Sequence, residues 1–76
     1  MQNERPQTLG EKRVRASFNP SGNHLVDEFN AKTAELIDMC ERMKTEARSG
    51  EITRLIALAQ THYEDAAMWI VKACTG

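Results

Sequence analysis

Apolar and small residues recur at alternating steps of three and four along two stretches of the chain. The first stretch runs from Val26 to Ala47 and the second from Ile52 to Ala73. This alternation is typical of helices that bury one stripe against a partner helix. The repeating positions are Val26, Phe29, Thr33, Leu36, Cys40, Met43 and Ala47, then Ile52, Ile56, Ala59, Tyr63, Ala66, Ile70 and Ala73. The pattern predicts two helices of roughly 25 residues that meet along these seams.

Turn-forming residues bound the predicted helices. Residues 19–23 read Asn-Pro-Ser-Gly-Asn, in which Ser21 or Asn23 can cap a helix that begins near Asn23. Residues 48–50 read Arg-Ser-Gly and are predicted to end this helix, with Gly50 able to take the left-handed conformation after its last turn. So short a connection predicts an antiparallel hairpin.

The N-terminal part shows no helical periodicity. Residues 1–12 are polar and are predicted to form a flexible arm. Between Arg13 and Phe18 apolar and polar residues alternate with a period of two, which indicates a short extended segment. We therefore expect two parts, a flexible N-terminal arm at 1–12 and a helical-hairpin domain at 13–76.

The predicted helices carry more apolar residues than one hairpin seam buries. Those outside the seams are Leu25, Ile37, Met39, Leu55, Leu58, Ala67, Met68, Trp69 and Val71. Contiguous apolar surface of this kind marks an interface, and a second copy of the chain is the simplest partner. The predicted fold class is therefore all-α: an antiparallel two-helix hairpin with a short extended or helical N-terminal arm, assembled into a homo-oligomer.

Composition narrows the class of protein. The chain has 76 residues, 28% of them charged, and a net charge of -1, which disfavours binding to DNA through its phosphates. Aromatic residues are 5%, too few for a sandwich or barrel. The first fifteen residues lack the apolar core of a signal peptide, and no apolar run is long enough to span a membrane. We expect a soluble cytoplasmic protein with no membrane partner.

The residue pattern does not predict catalysis. His24, His62, Cys40 and Cys74 lack the short spacing of metal ligands, and both cysteines fall among apolar residues. No serine or cysteine is followed by a recognisable base, and no glycine-rich loop introduces a helix. We predict a protein that is not an enzyme and uses no metal or cofactor.

Two groups of polar residues are candidates for binding an anion. One surrounds the start of the first predicted helix and comprises Arg13, Arg15, Asn19, Ser21, Asn23 and Lys32. The amides and dipole of a helix start favour phosphate, although ordinary turn chemistry and scattered surface charge explain the same residues. The other is a stripe on the second helix comprising Arg54, Thr61 and Met68, interleaved with Leu58, Asp65 and Lys72. A pocket wall and a solvated helix face are both open interpretations of this stripe.

Two segments resemble a known family. Residues 54–73, which read Arg-Leu-Ile-Ala-Leu-Ala-Gln-Thr-His-Tyr-Glu-Asp-Ala-Ala-Met-Trp-Ile-Val-Lys-Ala, resemble the second helix of small bacteriophage anti-CBASS sponge proteins. Residues 18–38 resemble the capped first helix of the helical-hairpin domain that these proteins share with anti-Thoeris sponges. The resemblance implies a cyclic-nucleotide-binding domain that sequesters immune second messengers without cleaving them and thereby blocks the host effector.

The resemblance also implies ligands, partners and site residues. Cyclic dinucleotides are the expected ligands, with cyclic trinucleotides and cyclic ADP-ribose-type signals as further candidates, in the host bacterial cytoplasm. Such proteins form symmetric oligomers, often hexamers, with ligands held between protomers. Taken with the residues around the start of the first helix, the resemblance gives these predicted ligand-binding residues: Arg13, Arg15, Phe18, Asn19, Ser21, Asn30, Lys32, Arg54 and Thr61.

Individual roles follow from the same resemblance. Phe18 is the aromatic residue expected to stack on a base. Asn30 stands where the family often has a lysine, so Lys32, Arg13 or Arg15 must supply the charge for a phosphate. Arg54 and Thr61 match the pattern of a second pocket. The alternative function is a non-catalytic helical module that occludes a host protein through Trp69 and Met68.

Overall fold

Three helices make up the chain. The computed structural model describes residues 6–15, 18–20 and 22–75. Helix α1 spans Leu9–Val14, α2 spans His24–Lys44 and α3 spans Gly50–Thr75, with no strand in these described ranges. Helices α2 and α3 pack against each other as the predicted hairpin, and α1 packs mainly on α2. The all-α fold class is confirmed.

Polar side chains cap the hairpin helices. Asn23 caps α2, and its side-chain oxygen accepts a hydrogen bond from the amide of Leu25 at 2.8 Å. Ser49 acts similarly at α3, where its Oγ accepts from the amide of Ile52 at 3.1 Å. The predicted role of Gly50 is wrong: it is the first residue of α3, without a positive φ. Helix α2 ends earlier, at Lys44, where the Thr45 amide bonds back to Arg42 and Met43 carbonyls.

The hairpin buries only part of the predicted seams: Val26, Cys40 and Ile56 are buried as predicted, and Ile37 and Ala67 from outside the seams are buried with them. Two amide side chains are buried among them, Asn30 and Gln60. Gln60 Nε2 donates to the Ile37 carbonyl at 3.1 Å and to Glu41 Oε1 at 3.0 Å, and so joins the helices.

Most of the large residues of the predicted seams are exposed instead. Phe29, Leu36 and Met43 of α2 and Ile52 and Tyr63 of α3 form what we call the outer face. Apolar residues occupy neighbouring positions on both helices, so the three-four spacing fits two adjacent faces equally well. The buried polar Asn30 and Gln60 conceal the true contact from a hydrophobic pattern.

Helix α1 lies across the opposite side of the hairpin and begins before the predicted end of the arm. Thr8 Oγ1 accepts from the Glu11 amide at 3.1 Å, and Glu11 Oε1 accepts from the Thr8 amide at 2.9 Å. This capping box satisfies amides that a helix start leaves unpaired. Gly10 then lies against α2, with its amide donating to Asp38 Oδ1 at 2.8 Å.

The extended segment predicted for residues 13–18 is wrong at its start. Arg13 and Val14 belong to the last turn of α1. Val14 is buried with Ala34, Ile37 and Ala67, so a helical turn buries the side chain that the alternation placed on a strand. Residues 16 and 17 of that prediction lie outside the described part of the chain.

Candidate functional site

A cleft of about 430 Å³ lies between the end of α1, the segment that follows it and the last turns of α3. Cationic, aromatic and aliphatic side chains share its wall. The lining residues are Arg13, Val14, Arg15, Phe18, Glu64, Ala67, Met68, Val71, Lys72 and Thr75. Its volume falls within the range of roughly 300 to 1,000 Å³ that is usual for small-molecule sites.

The end of α1 places Phe18 at the cleft. Arg15 takes a left-handed conformation, with a φ of 55°, and its amide bonds back to the carbonyls of Glu11 and Lys12. The Phe18 amide then donates to the Arg15 carbonyl at 2.7 Å. Asn30 Nδ2 donates to the Phe18 carbonyl at 3.3 Å. These bonds hold the backbone while leaving the Phe18 side chain 46% exposed.

Arg13 connects α1 to α3 at the cleft wall. Its Nε and Nη2 both lie 2.8 Å from Glu64 Oε1, and Nη2 also donates to Thr61 Oγ1 at 3.4 Å. Arg15 and Lys72 are the other cations that line the cleft. Three cations against the single Glu64 carboxylate leave two positive charges on the lining, in a chain whose net charge is -1. The cleft therefore favours anions.

Several predicted site residues meet here. Arg13, Arg15 and Phe18 line the cleft, and Thr61 touches it through Arg13. Thr61 also donates to the Ala57 carbonyl at 3.2 Å, an ordinary bond within the helix. Parts of the two candidate groups thus meet at one place, because the end of α1 lies beside Thr61 and Glu64 of α3.

Asn19 and Asn30 make hydrogen bonds that hold the backbone next to the cleft. Asn19 Nδ2 donates to the Asn23 carbonyl at 2.8 Å and to Asp27 Oδ1 at 2.9 Å, which orders the approach to α2. Asn30 is 1% exposed and does not line the cleft. Its Oδ1 is buried with no hydrogen-bond partner among the described residues. Among the described residues, its one hydrogen bond toward the cleft is the one that Nδ2 donates to the Phe18 carbonyl.

Two predicted cations lie elsewhere. Lys32 lines a separate cleft of about 410 Å³ among acidic side chains, and its Nζ is 3.9 Å from Glu28. Arg54 is exposed and makes two hydrogen bonds to Glu51, at 3.0 and 2.7 Å. These bonds raise the pKa of Arg54 and lower the pKa of Glu51. Ser21 lies outside the described residues.

Seven lining residues were not among the predicted site residues: Val14, Glu64, Ala67, Met68, Val71, Lys72 and Thr75. Met68 and Lys72 were already on the same predicted stripe as Thr61. Glu64 becomes recognisable once α1 is placed, because it bonds to Arg13, and Val71 lines the same cleft. The signal for α1 was the Thr8 and Glu11 capping box, three residues apart.

Metal and membrane features are absent from the part of the chain that the structure describes. Within it, no group of three or more His, Cys, Asp or Glu is arranged to hold a metal ion. None of its helices combines the length and hydropathy of a membrane-spanning segment.

The fold and cleft together define a helical hairpin with an anion-favouring wall. Comparison with protein families identifies which hairpin this is. Residues 10–75 match the Acb2/Tad1 hairpin domain, so the chain belongs to that family, the anti-CBASS and anti-Thoeris sponges. The family resemblance stated from the sequence is confirmed. No curated protein and no solved structure matches the chain significantly.

Proposed function

We propose that this protein is a bacteriophage counter-defence sponge that binds cyclic dinucleotide second messengers in the host cytoplasm and withholds them from the effector. The observation that carries the proposal is the cleft, with its surplus of two positive charges beside an exposed aromatic ring. A cyclic dinucleotide carries two phosphates and two flat bases. The phosphates match the positive charges of the cleft, and a base matches its aromatic ring.

Arg13, Arg15 and Lys72 are the proposed phosphate partners. A hydrogen bond to a charged group typically contributes about 1.5 to 3 kcal/mol. Arg13 is held by Glu64, so its guanidinium is already oriented when a ligand arrives. Ordering a long side chain in advance reduces the entropy lost on binding. We expect Arg15 and Lys72, which are free of ion pairs within the described residues, to adjust to the ligand.

Phe18 is the proposed stacking platform. Stacking a base on an aromatic ring contributes roughly 1 to 3 kcal/mol, and the contact tolerates any base. Met68 and Val71 extend the apolar part of the wall on α3. Cyclic trinucleotides and cyclic ADP-ribose-type signals share phosphates and flat bases, and so remain in the proposed range.

Sequestration without cleavage fits the residues at the cleft. Among the described residues, its lining contains no cysteine or histidine, and the one carboxylate there, Glu64, is paired with Arg13. The family is one of sequestering domains. We propose that bound nucleotide leaves the protein chemically unchanged.

Arg54 and Thr61 belong to a proposed second pocket. They are seven residues apart on α3, about 10 Å along the helix. Arg54 is exposed and held by Glu51, outside the lining of the cleft. We expect Arg54→Ala to impair a different ligand from Phe18→Ala, and calorimetry with cyclic di- and trinucleotides measures both. Equal binding of every ligand by Arg54→Ala would remove Arg54 from any site.

The proposed sponge is a homo-oligomer, and the family suggests a hexamer. The outer face of α2 and α3 supplies the apolar surface for assembly. Light scattering is expected to return a species larger than a dimer. A stable monomer of 8.6 kDa at micromolar concentration would contradict this.

The direct test is a thermal-shift screen against cyclic nucleotides, followed by calorimetry on the ligands that stabilise the protein. A ligand at 100 times its Kd stabilises the folded state by about 2.7 kcal/mol, which is readily measured. We expect at least one cyclic dinucleotide to bind, and Arg15→Gln to weaken it about tenfold. If no cyclic nucleotide shifts the melting temperature, the proposal fails, and occlusion of a host protein through Trp69 and Met68 becomes the better account.

A further inference from the structure

A buried amide interrupts the apolar residues that α2 buries. Asn30 lies between Val26 and Ala34, four residues from each, and all three side chains are buried. Leucine has the same branching of side-chain atoms as asparagine, and it favours the helical conformation more. Packing and helix propensity therefore do not explain an asparagine at this position.

The hydrogen bonds of Asn30 do not explain it as a stabilising residue either. Among the described residues, Nδ2 makes one bond, to the Phe18 carbonyl, and its length of 3.3 Å is long for an amide donor and a carbonyl. Oδ1 is buried with no partner there. A buried acceptor left unpaired costs at least as much stability as one neutral hydrogen bond contributes. Asn30 is thus expected to cost the fold stability.

Gln60 is a buried amide that the fold does explain. Its Oε1 is also buried without a partner, but its Nε2 donates twice, to the Ile37 carbonyl at 3.1 Å and to Glu41 Oε1 at 3.0 Å. A bond to a carboxylate is stronger than one between neutral groups. Both bonds join α3 to α2, so Gln60 has a structural role that Asn30 lacks.

The one bond of Asn30 holds a residue of the cleft. The Phe18 amide donates to the Arg15 carbonyl at 2.7 Å, so the end of α1 holds one side of Phe18 and Asn30 of α2 holds the other. Only the amino group of an amide can donate to a carbonyl. Nδ2 must therefore face Phe18, and Oδ1 must turn away from it. The unpaired oxygen is a consequence of the contact with Phe18.

We propose that Asn30 is a positioning residue that fixes the main chain of Phe18, and thereby orients its ring for stacking on a base, at a cost in fold stability. The inference rests on the function proposed above, in which Phe18 is the stacking platform. Asn30 does not line the cleft, so it acts through Phe18 and not by touching the ligand. A ring that is ordered before the ligand arrives loses less entropy on binding.

Melting temperature and affinity separate the two buried amides. Asn30→Leu is expected to melt at or above the parent temperature, yet to bind a cyclic dinucleotide about three- to tenfold more weakly by calorimetry. Gln60→Met is the matched control: it is expected to melt lower and, while folded, to bind as the parent does. Asn30→Ala, which cannot overpack the site, repeats the binding measurement. Binding by both Asn30 variants that equals the parent's would overturn the inference, and so would a lower melting temperature of Asn30→Leu.

A double-mutant cycle tests whether Asn30 acts through the ring. In the Phe18→Ala background, Asn30→Leu is expected to weaken binding by less than about twofold, because the ring it positions is already gone. A general structural effect would instead appear in full in both backgrounds. Equal losses in the two backgrounds would therefore contradict a positioning role.

Hydrogen exchange of the Phe18 amide tests the positioning without a ligand. Exchange in folded Asn30→Leu is expected to be about tenfold faster than in the parent, with the central amides of α3 unchanged. Unchanged exchange at Phe18 would overturn the inference. If no cyclic nucleotide binds the parent, the proposed function fails, and faster exchange in Asn30→Leu still supports Asn30 as the residue that holds Phe18.

Discussion

The two sides of the hairpin differ in what packs against them. On one side, α1 packs so closely that Gly10 lies against the backbone of Ala34, and Arg13 bonds to Glu64. On the other side, the outer face remains exposed among the described residues. A six-residue helix thus turns one side into a polar cleft, while the other keeps the apolar surface suited to a second copy.

The two phenylalanines summarise this difference. Phe18 is 46% exposed and lies at the cleft, whereas Phe29 is 43% exposed and lies on the outer face. Their exposures are nearly equal, so neither side chain is distinguished by burial. Their neighbours differ: cations line the same cleft as Phe18, and apolar side chains share the outer face with Phe29. We assign nucleotide capture to the first and self-association to the second.

The largest expected effect on nucleotide binding comes from a substitution on the side of the hairpin that α1 covers. In Gly10→Ala, the new Cβ would overlap the carbonyl oxygen of Ala34 and lie 2.7 Å from its carbonyl carbon. These are backbone atoms and cannot move aside, and overpacking of this kind costs about 1 to 3 kcal/mol. We expect α1 to detach, Arg13 and Arg15 to leave the cleft, and nucleotide binding to fall more than tenfold by calorimetry.

Gly50→Ala is the matched control for Gly10→Ala. Nothing lies within 4 Å of a Cβ at Gly50, and its φ is not positive. Alanine also favours helix over glycine. This variant is expected to bind as the parent does and to melt slightly higher. Normal binding by Gly10→Ala would contradict the placement of α1.

The second prediction separates the two sides with one residue type. Phe18→Ala removes the proposed stacking platform and is expected to weaken nucleotide binding about tenfold, with the oligomer unchanged. Phe29→Ala is expected to weaken the oligomer, with binding to the cleft retained at concentrations where assembly persists. Calorimetry and light scattering on both variants measure the four outcomes. The comparison between the sides fails if Phe18→Ala dissociates the oligomer and Phe29→Ala alone loses the ligand.

The third prediction concerns charge within the cleft. Glu64→Gln removes the carboxylate that holds Arg13 and raises the positive charge of the lining by one. We expect anionic nucleotides to bind several-fold more tightly, with a steeper loss of affinity as salt is added. Glu46→Gln makes the same change of net charge at an exposed site outside the cleft, and should leave binding unaltered. Weaker binding by Glu64→Gln would show that orientation of Arg13 outweighs the added charge.

The smallest expected effect is on the free energy of unfolding, through a hydrogen bond in the hairpin core that both sides share. The hydrogen bond from Gln60 holds the pKa of Glu41 below its usual range, against the opposing effect of burial. A lowered carboxylate pKa contributes stability above the ordinary glutamate value of about 4.3, and this is lost as pH falls through the lowered pKa. Glu41 is half exposed, so we expect at most about 0.5 kcal/mol.

Denaturant unfolding checks the Glu41 prediction. The difference in unfolding free energy between the parent and Glu41→Gln should be present at pH 7 and shrink in acid. Glu46→Gln, which removes an exposed carboxylate that has no ion pair within the described residues, is the control for general charge effects. A difference that stays constant across this pH range would show that the ionised form of Glu41 is not what Gln60 stabilises.

The hairpin could be predicted from the sequence because its signals are local. Asn23 has the side chain of a helix cap, and the long three-four alternations have no strand interpretation. The residues that α2 and α3 bury against each other were harder to predict. Ile37 and Ala67 are buried although they fall outside the predicted seams, because a polar residue on each helix, Asn30 or Gln60, occupies the buried stripe.

The candidate site was predictable only in its parts. The stripe on α3 placed Thr61 near Met68 and Lys72, and the resemblance singled out Phe18. Their meeting depends on α1, whose six residues are too few for helical periodicity to show. The close approach of Gly10 to Ala34 is a tertiary contact that no local pattern contains.

Recovery of the ligand tests the central claim most directly. The protein is incubated with the cyclic dinucleotide that gives the largest thermal shift, the free nucleotide is measured by filtration, and the protein is then denatured and the nucleotide analysed by mass spectrometry. A non-cleaving sponge at the cleft predicts that free nucleotide is depleted by the parent, returned intact on denaturation, and left largely free by Phe18→Ala. Free nucleotide that stays undepleted, or returns linearised, would contradict the account.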